Sequence, residues 1–301
     1  MPVLLIAVGL RAENGGAKGP AKTESVVSSS TSDSTSAIDS TNVPPTKAFT
    51  KMNANEPTSP FTASLSEFVT GRTGTITAAV DDLATGNIFL FHPGVVEDEA
   101  SVVKVDVMAT LLAEQSDGNV PANASQQQLL ASMIEESDNG STTELWDQVG
   151  GPVAIASFNQ RANMTSTTPS TCLACANFPW PGWGLTTTTA SDQIALLRQF
   201  AVTSSLLTAI QQNYGLGLME QVEPSEAWGI SAGVPPGVTI AIKNGWLPLA
   251  GETNWQVNSE GWIEGDGRDY IVSILTTGSP TEQYGIITIE SMSEVLWSQL
   301  G

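Results

Sequence analysis

Apolar residues return at helical spacing in "EDEASVVKVDVMATLLAEQ", residues 97–115, where Val103, Val107, Met108, Leu111 and Leu112 mark one stripe of a helix. Before it, "TITAAV" and "IFLF" are β-prone runs joined by the turn chemistry of "DLATGN", which predicts a hairpin. After it, "SQQQLLASMIEE", "STTELWDQVG" and "PVAIASFNQRAN" read as helices, the second stopped by Gly150, Gly151 and Pro152. A Thr-, Pro- and Trp-rich loop spans about residues 164–187. "TASDQIALLRQFAV" then opens a helix capped by Thr or Ser near Ala190. The last third gives strands in "TIAIKNGW" and "WQVNSEGWIEGDGRDYIVSILTT", with "GDG" as a hairpin turn, and "YGIITIESMSEVLWSQL" closes as a helix. Two strands, a helical block, three strands and a final helix predict an α+β fold. An antiparallel five-stranded sheet is covered by helices, and its chain leaves to build a helical subdomain and returns.

The N-terminal sixty residues break this pattern. "MPVLLIAVGL", residues 1–10, is apolar but too short to span a bilayer. It reads either as the apolar part of a signal peptide without its basic leader or as a disordered N-terminus. Residues 11–60, including "TESVVSSSTSDSTSAIDSTNVPPTK", bury too little apolar surface to offset their ordering entropy and are expected to be a flexible linker. A linker behind an apolar leader suggests export, with residues 61–301 as the functional domain held at or beyond the cell envelope. No later integral membrane segment is expected.

Charge narrows the partners. The formal net charge is −20, and residues 1–60 contribute none of it, with five Lys/Arg against five Asp/Glu. Residues 61–301 carry six Lys/Arg and 26 Asp/Glu, a surface that repels phosphate backbones, so nucleic acid is an unsuitable partner. Only two lysines lie there, Lys104 and Lys243. An acidic, soluble surface does not need them, which points to specific roles.

Cys172 and Cys175, spaced C-x-x-C, are the only cysteines and His92 is the only histidine. A zinc site would need further ligands, so no metal or cofactor is expected. In an exported chain a local disulfide is the reading for this pair. "GISAG", residues 229–233, matches a nucleophile-elbow spacing, but "VPPG" follows where a helix is required, and His92 lies far upstream. Ser231 is therefore set aside.

Without a usable histidine, a serine nucleophile needs another base, and a desolvated lysine can serve. Ser101 and Lys104 form S-x-x-K at a helix start, where free N–H groups and the dipole favour negative charge. Taken alone, Lys104 also reads as a lysine whose stem packs on the core. Ser137, Asp138 and Asn139 follow a helix in "EESDNGS". Lys243, Asn244 and Gly245 end the strand "TIAIKNGWLP", where glycine allows a ligand backbone to lie close.

S-x-x-K, S-D-N and K-x-G in this order resemble the signature of the class A β-lactamases and penicillin-binding proteins. "AVDDLATG", "SDNGSTTELWDQVGGPVAIASF" and "TTTTASDQIALL" resemble flanking segments of that superfamily, so the resemblance covers about residues 61–301. It implies the β-lactamase/transpeptidase-like fold. It also implies a serine hydrolase in which Ser101 attacks a β-lactam or a peptidoglycan-like amide or ester. Lys104 would take its proton and Ser137 would relay a proton to the leaving nitrogen. Asn139 would hold the substrate's amide side chain. Lys243, with Asn244 and Gly245, would bind a substrate carboxylate. The backbone N–H groups of Ser101 and Trp246 would form the oxyanion hole.

Three features depart from that signature. Asn244 stands where Thr or Ser is usual. The interval from Lys104 to Ser137 is short. Between Glu144 and Glu220 there is no glutamate, and from Thr165 to Ser191 no acid at all, so the water-activating carboxylate of the class is missing. Acylation of Ser101 with slow lactam turnover is expected; the alternative is a non-turnover module that binds cell-wall peptides or β-lactams. Phe178, Trp180 and Trp183 in the acid-free loop either wall the cleft or pack the loop down.

Overall fold

The computed structural model describes residues 58–301, except 116–117, 121–122, 176–177, 179 and 250–253. The apolar leader and all but the last residues of the expected linker lie outside the described residues. In chain order the first elements are α1 (Ala63–Thr70), β1 (Thr75–Asp82), β2 (Asn87–Phe91), β3 (Glu97–Asp98) and α2 (Val103–Ala113). The helical block continues as α3 (Ala124–Glu135), α4 (Asn139–Gln148) and α5 (Gly151–Arg161). Then come β4 (Thr187–Thr188), α6 (Ala190–Ala201), α7 (Ala209–Met219), β5 (Thr239–Pro248), β6 (Trp255–Gly265), β7 (Arg268–Ser279) and α8 (Glu282–Gln299).

The main sheet runs in the order β2-β1-β7-β6-β5, with every neighbouring pair antiparallel. Its central strands are buried on both faces. On β7, Tyr270, Val272 and Ile274 face one core, while Ile271 and Leu275 face the other; on β1, Ala78 and Val80 oppose Ala79 in the same way. That double burial is why "YIVSIL" reads as a continuous apolar run instead of an alternating one. One face packs on α1 and α8 through Leu65, Val69, Ile289, Met292 and Leu296. The other packs on the helical block through residues such as Met108, Leu112, Leu145, Trp146, Phe158 and Leu197. The expected α+β architecture is the one observed, and residues 265–267 make the turn between β6 and β7 with positive φ throughout.

Three elements add to the expected order. Helix α1 is short and precedes the first strand, with Thr62 accepting from the Leu65 N–H as its cap. Helix α7 carries two glycines that weaken its helical signal. Gly215 is required there, because a Cβ would fall 2.4 Å from the Phe200 ring. The short ribbon β3–β4 joins the chain just before Ser101 to the end of the acid-free loop. Among the described residues no helix is long and apolar enough to cross a membrane.

Candidate active site

Ser101 sits in a 3-10 turn, Ala100–Val102, that runs into α2. The turn is held from three sides. The Glu99 N–H donates to the Thr186 carbonyl at 2.8 Å. The Asn258 amide donates to the carbonyls of Asp98 and Glu99, each at 2.9 Å. Ala100 adopts φ 52°, a left-handed conformation that costs energy in a residue with a Cβ and recurs where a site dictates the backbone. From β5, Gly245 lies against the turn: a Cβ there would fall 2.6 Å from the Ser101 nitrogen and 2.8 Å from the Val102 nitrogen. Glycine at 245 thus serves the close approach of the protein's own backbone, where the sequence suggested room for a ligand.

Lys104, one turn beyond, is completely buried. Its Nζ contacts the Ser137 carbonyl at 2.5 Å, Ser137 Oγ at 2.9 Å and Asn139 Oδ1 at 3.0 Å, and lies 5.2 Å from the centre of the Trp183 ring. Ser137 has φ 55°, which turns both its carbonyl and its hydroxyl to the same amine. Asp138 caps α4 by accepting from the Ser141 N–H at 2.6 Å, and so fixes Asn139 as the first helical residue. From β5, Lys243 Nζ reaches Ser137 Oγ at 3.0 Å and the Asn244 carbonyl at 2.8 Å. No hydrogen bond joins Ser101 Oγ to Lys104 Nζ among the described residues. The amine's contacts are to Ser137 and Asn139.

Burial, and next the charge of Lys243, hold the Lys104 amine well below the ordinary lysine range, against the pull of Glu226 and Asp138. Burial brings Lys243 down to about 8, opposed by Glu226 and Glu260. Glu226 was not singled out from sequence. Its carboxyl is half-buried between these charges. Burial raises it while the two lysines pull it back.

Asn244 is placed apart from the cluster. It is buried, and its amide donates to the carbonyls of Glu226 at 2.6 Å and Trp228 at 2.9 Å. It secures the loop that follows α7, and its amide is not free for a substrate carboxylate. Trp246, two residues on, packs edge-on against Trp228 and faces a shallow slot lined by Ala100, Ser101, Asn139, Trp180, Trp183 and Leu247. The two loop tryptophans divide the expected roles. Trp183 is buried, its indole N–H donating to Thr143 Oγ1 at 3.1 Å, whereas Trp180 is 46% exposed on the wall of the slot. Cys172 and Cys175 form a disulfide in the same loop. Of the residues set aside, the His92 ring bonds the Ile76 carbonyl through Nδ1, and Ser231 Oγ donates to the Ala227 carbonyl.

Beneath the serine lies a group of carboxyls that the motifs did not reveal. Glu99, Asp106 and Glu260 are all fully buried. Gln193 Nε2 donates to Glu99 at 3.0 Å, Asn159 Nδ2 to Asp106 at 2.8 Å and Ser273 Oγ to Glu260 at 3.3 Å. One oxygen of each carboxyl has no protein partner. Burial first, then mutual repulsion, keeps Glu99 and Glu260 far above the carboxylate range, and burial pushes Asp106 up to about 7. An acid at position 106, inside an otherwise apolar helical run, was the signal in the sequence.

The sequence pattern of the beta-lactamase enzyme family matches residues 119–300, more than half of the chain but beginning after Ser101 and Lys104. LppW, a candidate lipoprotein of Mycobacterium bovis and Mycobacterium tuberculosis, is 27% identical over 209 residues. That alignment covers 66% of this chain and 62% of LppW, so the chain spans less than two thirds of these relatives. Among solved structures, the TLA-1 extended-spectrum beta-lactamase aligns with a TM-score of 0.69 at 15% identity, over 79% of this chain and 97% of that one. A class A beta-lactamase from Mycobacterium abscessus gives a TM-score of 0.64 at 19% identity, over 78% and 97%. At these identities the likeness concerns the fold.

Proposed function

The chain belongs to the beta-lactamase enzyme family, and from that premise we propose that it is a serine hydrolase acylated at Ser101, with Lys104 as the general base. The observation that carries the proposal is the buried Lys104 amine, fixed beside Ser137 and Asn139 and facing the cation Lys243 across a single hydroxyl. As an ammonium, Lys104 has three N–H groups, and the Ser137 carbonyl, Ser137 Oγ and Asn139 Oδ1 take all three. Deprotonation removes one N–H and frees a lone pair. Desolvation and Lys243 favour that neutral amine, so the base needs no histidine.

The chemistry then proceeds in order. Ser101 Oγ attacks the carbonyl carbon of a β-lactam or of a peptidoglycan-like amide or ester, and its proton passes to Lys104, a contact that tightens when substrate is bound. The oxyanion is held by the N–H groups of Ser101 and Trp246. When the carbon–nitrogen or carbon–oxygen bond breaks, Ser137 hands its proton to the leaving atom and is reprotonated from Lys104. Asn139, at the edge of the slot, supports the acyl side chain. Asn244 and Gly245 contribute by holding the loop after α7 and the serine turn.

Hydrolysis of the acyl-enzyme also needs an activated water. The loop over the site has no acid between Thr165 and Ser191, so deacylation is slow. The same feature favours a second reading, a module that binds cell-wall peptides or β-lactams without turnover. Similarity to a candidate lipoprotein supports a place at the cell envelope.

The test is incubation with a penicillin, followed by intact mass and peptide mapping, alongside a chromogenic cephalosporin. A stable adduct on Ser101 with little chromogenic turnover is expected. Rapid multiple turnover would contradict the deacylation step. Tight binding without an adduct would favour the binding module.

A further inference from the structure

The slot beside Ser101 is built from aromatic surface and contains no cation. Its polar residues are Ser101 and Asn139; the rest of the lining is Ala100, Trp180, Pro181, Trp183, Gly184, Trp246 and Leu247. The slot is shallow, narrow and open to solvent on one side. A flat substrate group can lie along it against the tryptophan faces. Trp183 is tied to Thr143 and faces the Lys104 amine, and Trp246 packs against Trp228. Trp180, half exposed, is the wall with room to adapt.

No Lys or Arg lines this slot. Arg72 bonds the Tyr284 carbonyl and Thr288, Arg161 lies over the Phe158 ring, Arg198 pairs with Asp81, and Arg268 bonds the Trp297 carbonyl. Lys104 and Lys243 are buried, both on Ser137. The Asn244 amide, the remaining candidate for a carboxylate, is turned into the loop at Glu226. A carboxylate beside the scissile bond would be desolvated against tryptophan faces with no exposed cation to receive it, which is unfavourable. A neutral aryl or other flat apolar group would exchange water for those faces, which is favourable.

Resting on the serine-hydrolase reading, we propose that this tryptophan slot is an acyl-group subsite selecting uncharged substrates with a flat apolar acyl group, neutral esters or amides, over substrates that carry a carboxylate next to the scissile bond. In the acylation step, the Ser101 Oγ–carbonyl bond forms and the bond to the leaving oxygen, nitrogen or, in a thioester, sulfur breaks. The leaving group departs with one proton as an alcohol, amine or thiol, and water later releases the acid.

The test uses a matched pair, an arylacetyl thioester whose leaving group bears a free carboxylate and the same thioester as its methyl ester, with the acetyl analogue of the neutral form as a size control. Acylation of Ser101 is followed by intact mass. The neutral aryl thioester is expected to react at least about tenfold faster than its acid. Trp180→Ala should erase about tenfold of the aryl-over-acetyl preference, slowing the aryl substrate more than the acetyl one. Equal or faster reaction of the acid, or equal losses for aryl and acetyl substrates, would overturn the proposal.

A binding measurement separates the subsite from the chemistry. In Ser101→Ala, the neutral aryl thioester should quench tryptophan fluorescence and bind more tightly than its acid, and Trp180→Ala should weaken that binding. If nothing acylates Ser101 but this binding preference holds, the hydrolase reading fails and the subsite stands. If acylation proceeds without the preference, the subsite fails alone.

Discussion

Lys104 and Lys243 meet at one oxygen: their amines lie 2.9 Å and 3.0 Å from Ser137 Oγ. Two ammonium groups this close in a buried site do not both keep their protons. Lys104 is held down by burial and by Lys243, whereas burial alone brings Lys243 to about 8. The order follows. Lys104 loses its proton first, and once neutral it no longer repels Lys243, which stays charged at neutral pH.

Removing the base should be severe. Lys104→Met is expected to slow acylation of Ser101 by about 10²–10⁴-fold, the usual worth of a positioned general base. The rate of adduct formation by intact mass measures it, and circular dichroism checks that the variant is folded. Acylation within a factor of about three of wild type would remove Lys104 from the mechanism.

The pH dependence carries a sign. The neutral amine is the active form, so acylation rises with pH through the Lys104 pKa and levels off well below the ordinary lysine range. Lys243→Met removes the positive charge that helps hold Lys104 down, so the rising limb should move to higher pH. Acylation rates from pH 5 to 10 in both proteins measure this. A limb that stays in place would show that Lys243 does not tune the base.

Stability should fall as pH rises from mildly acidic to neutral. Asp106 moves from 3.8 in the unfolded chain to about 7, and Glu97 from 4.5 to about 7, both mainly by burial. Glu99 and Glu260 move the same way. The folded protein keeps protons that the unfolded chain releases between these values, so the stabilisation is complete below about pH 4 and is lost through about pH 7. Lys243 works in the opposite direction between about 8 and 10.5, and Lys104 does so from lower pH, because burial holds it well below the ordinary lysine range; the four raised carboxyls set the sign up to neutral pH. A Tm drop of about 5 °C or more from pH 5 to pH 8 is expected, with a flatter profile in Glu260→Gln. A Tm that is level or rises over that interval would contradict the buried-acid assignment.

Gly245→Ala separates backbone fit from ligand access. Its Cβ would meet the Ser101 nitrogen at 2.6 Å, so the serine turn must shift and acylation should fall by about tenfold or more. Because the clash is internal, Tm should fall as well. A variant with normal Tm and a raised KM would restore the ligand explanation for this glycine.

Asn244→Ala should act on stability. Its amide serves two half-buried carbonyls of the loop after α7, and losing such hydrogen bonds costs about 1 kcal/mol. Urea unfolding measures the loss. Unchanged stability with a selective loss of carboxylate-bearing substrates would instead make Asn244 a substrate ligand.

How much of this was legible in the sequence depended on the range of the interaction. The β1–β2 hairpin, the β6–β7 turn at Asp266 and the α6 cap at Thr189 are local, and turn or cap chemistry announced each of them. The convergence of Lys104, Ser137, Asn139 and Lys243 is long-range, and only the order of three motifs made it visible. Strand periodicity held an unused warning: neighbours on β5 point to opposite faces, so Lys243 and Asn244 could not both face one cleft. The meeting of Glu99, Asp106 and Glu260 depends on β6 packing against the serine turn that leads into α2, and no local pattern encodes that. The division between Trp180 and Trp183 likewise depends on which indole finds Thr143.

The most direct measurement is the time course of Ser101 modification by a neutral, serine-directed fluorophosphonate, mapped by peptide mass in wild type and in Lys104→Met at pH 7. Wild type is expected to label at Ser101 alone, and Lys104→Met to label at least about a hundredfold more slowly. Labelling at another serine, or equal rates in the two proteins, would contradict the assignment of Ser101 as nucleophile and Lys104 as its base.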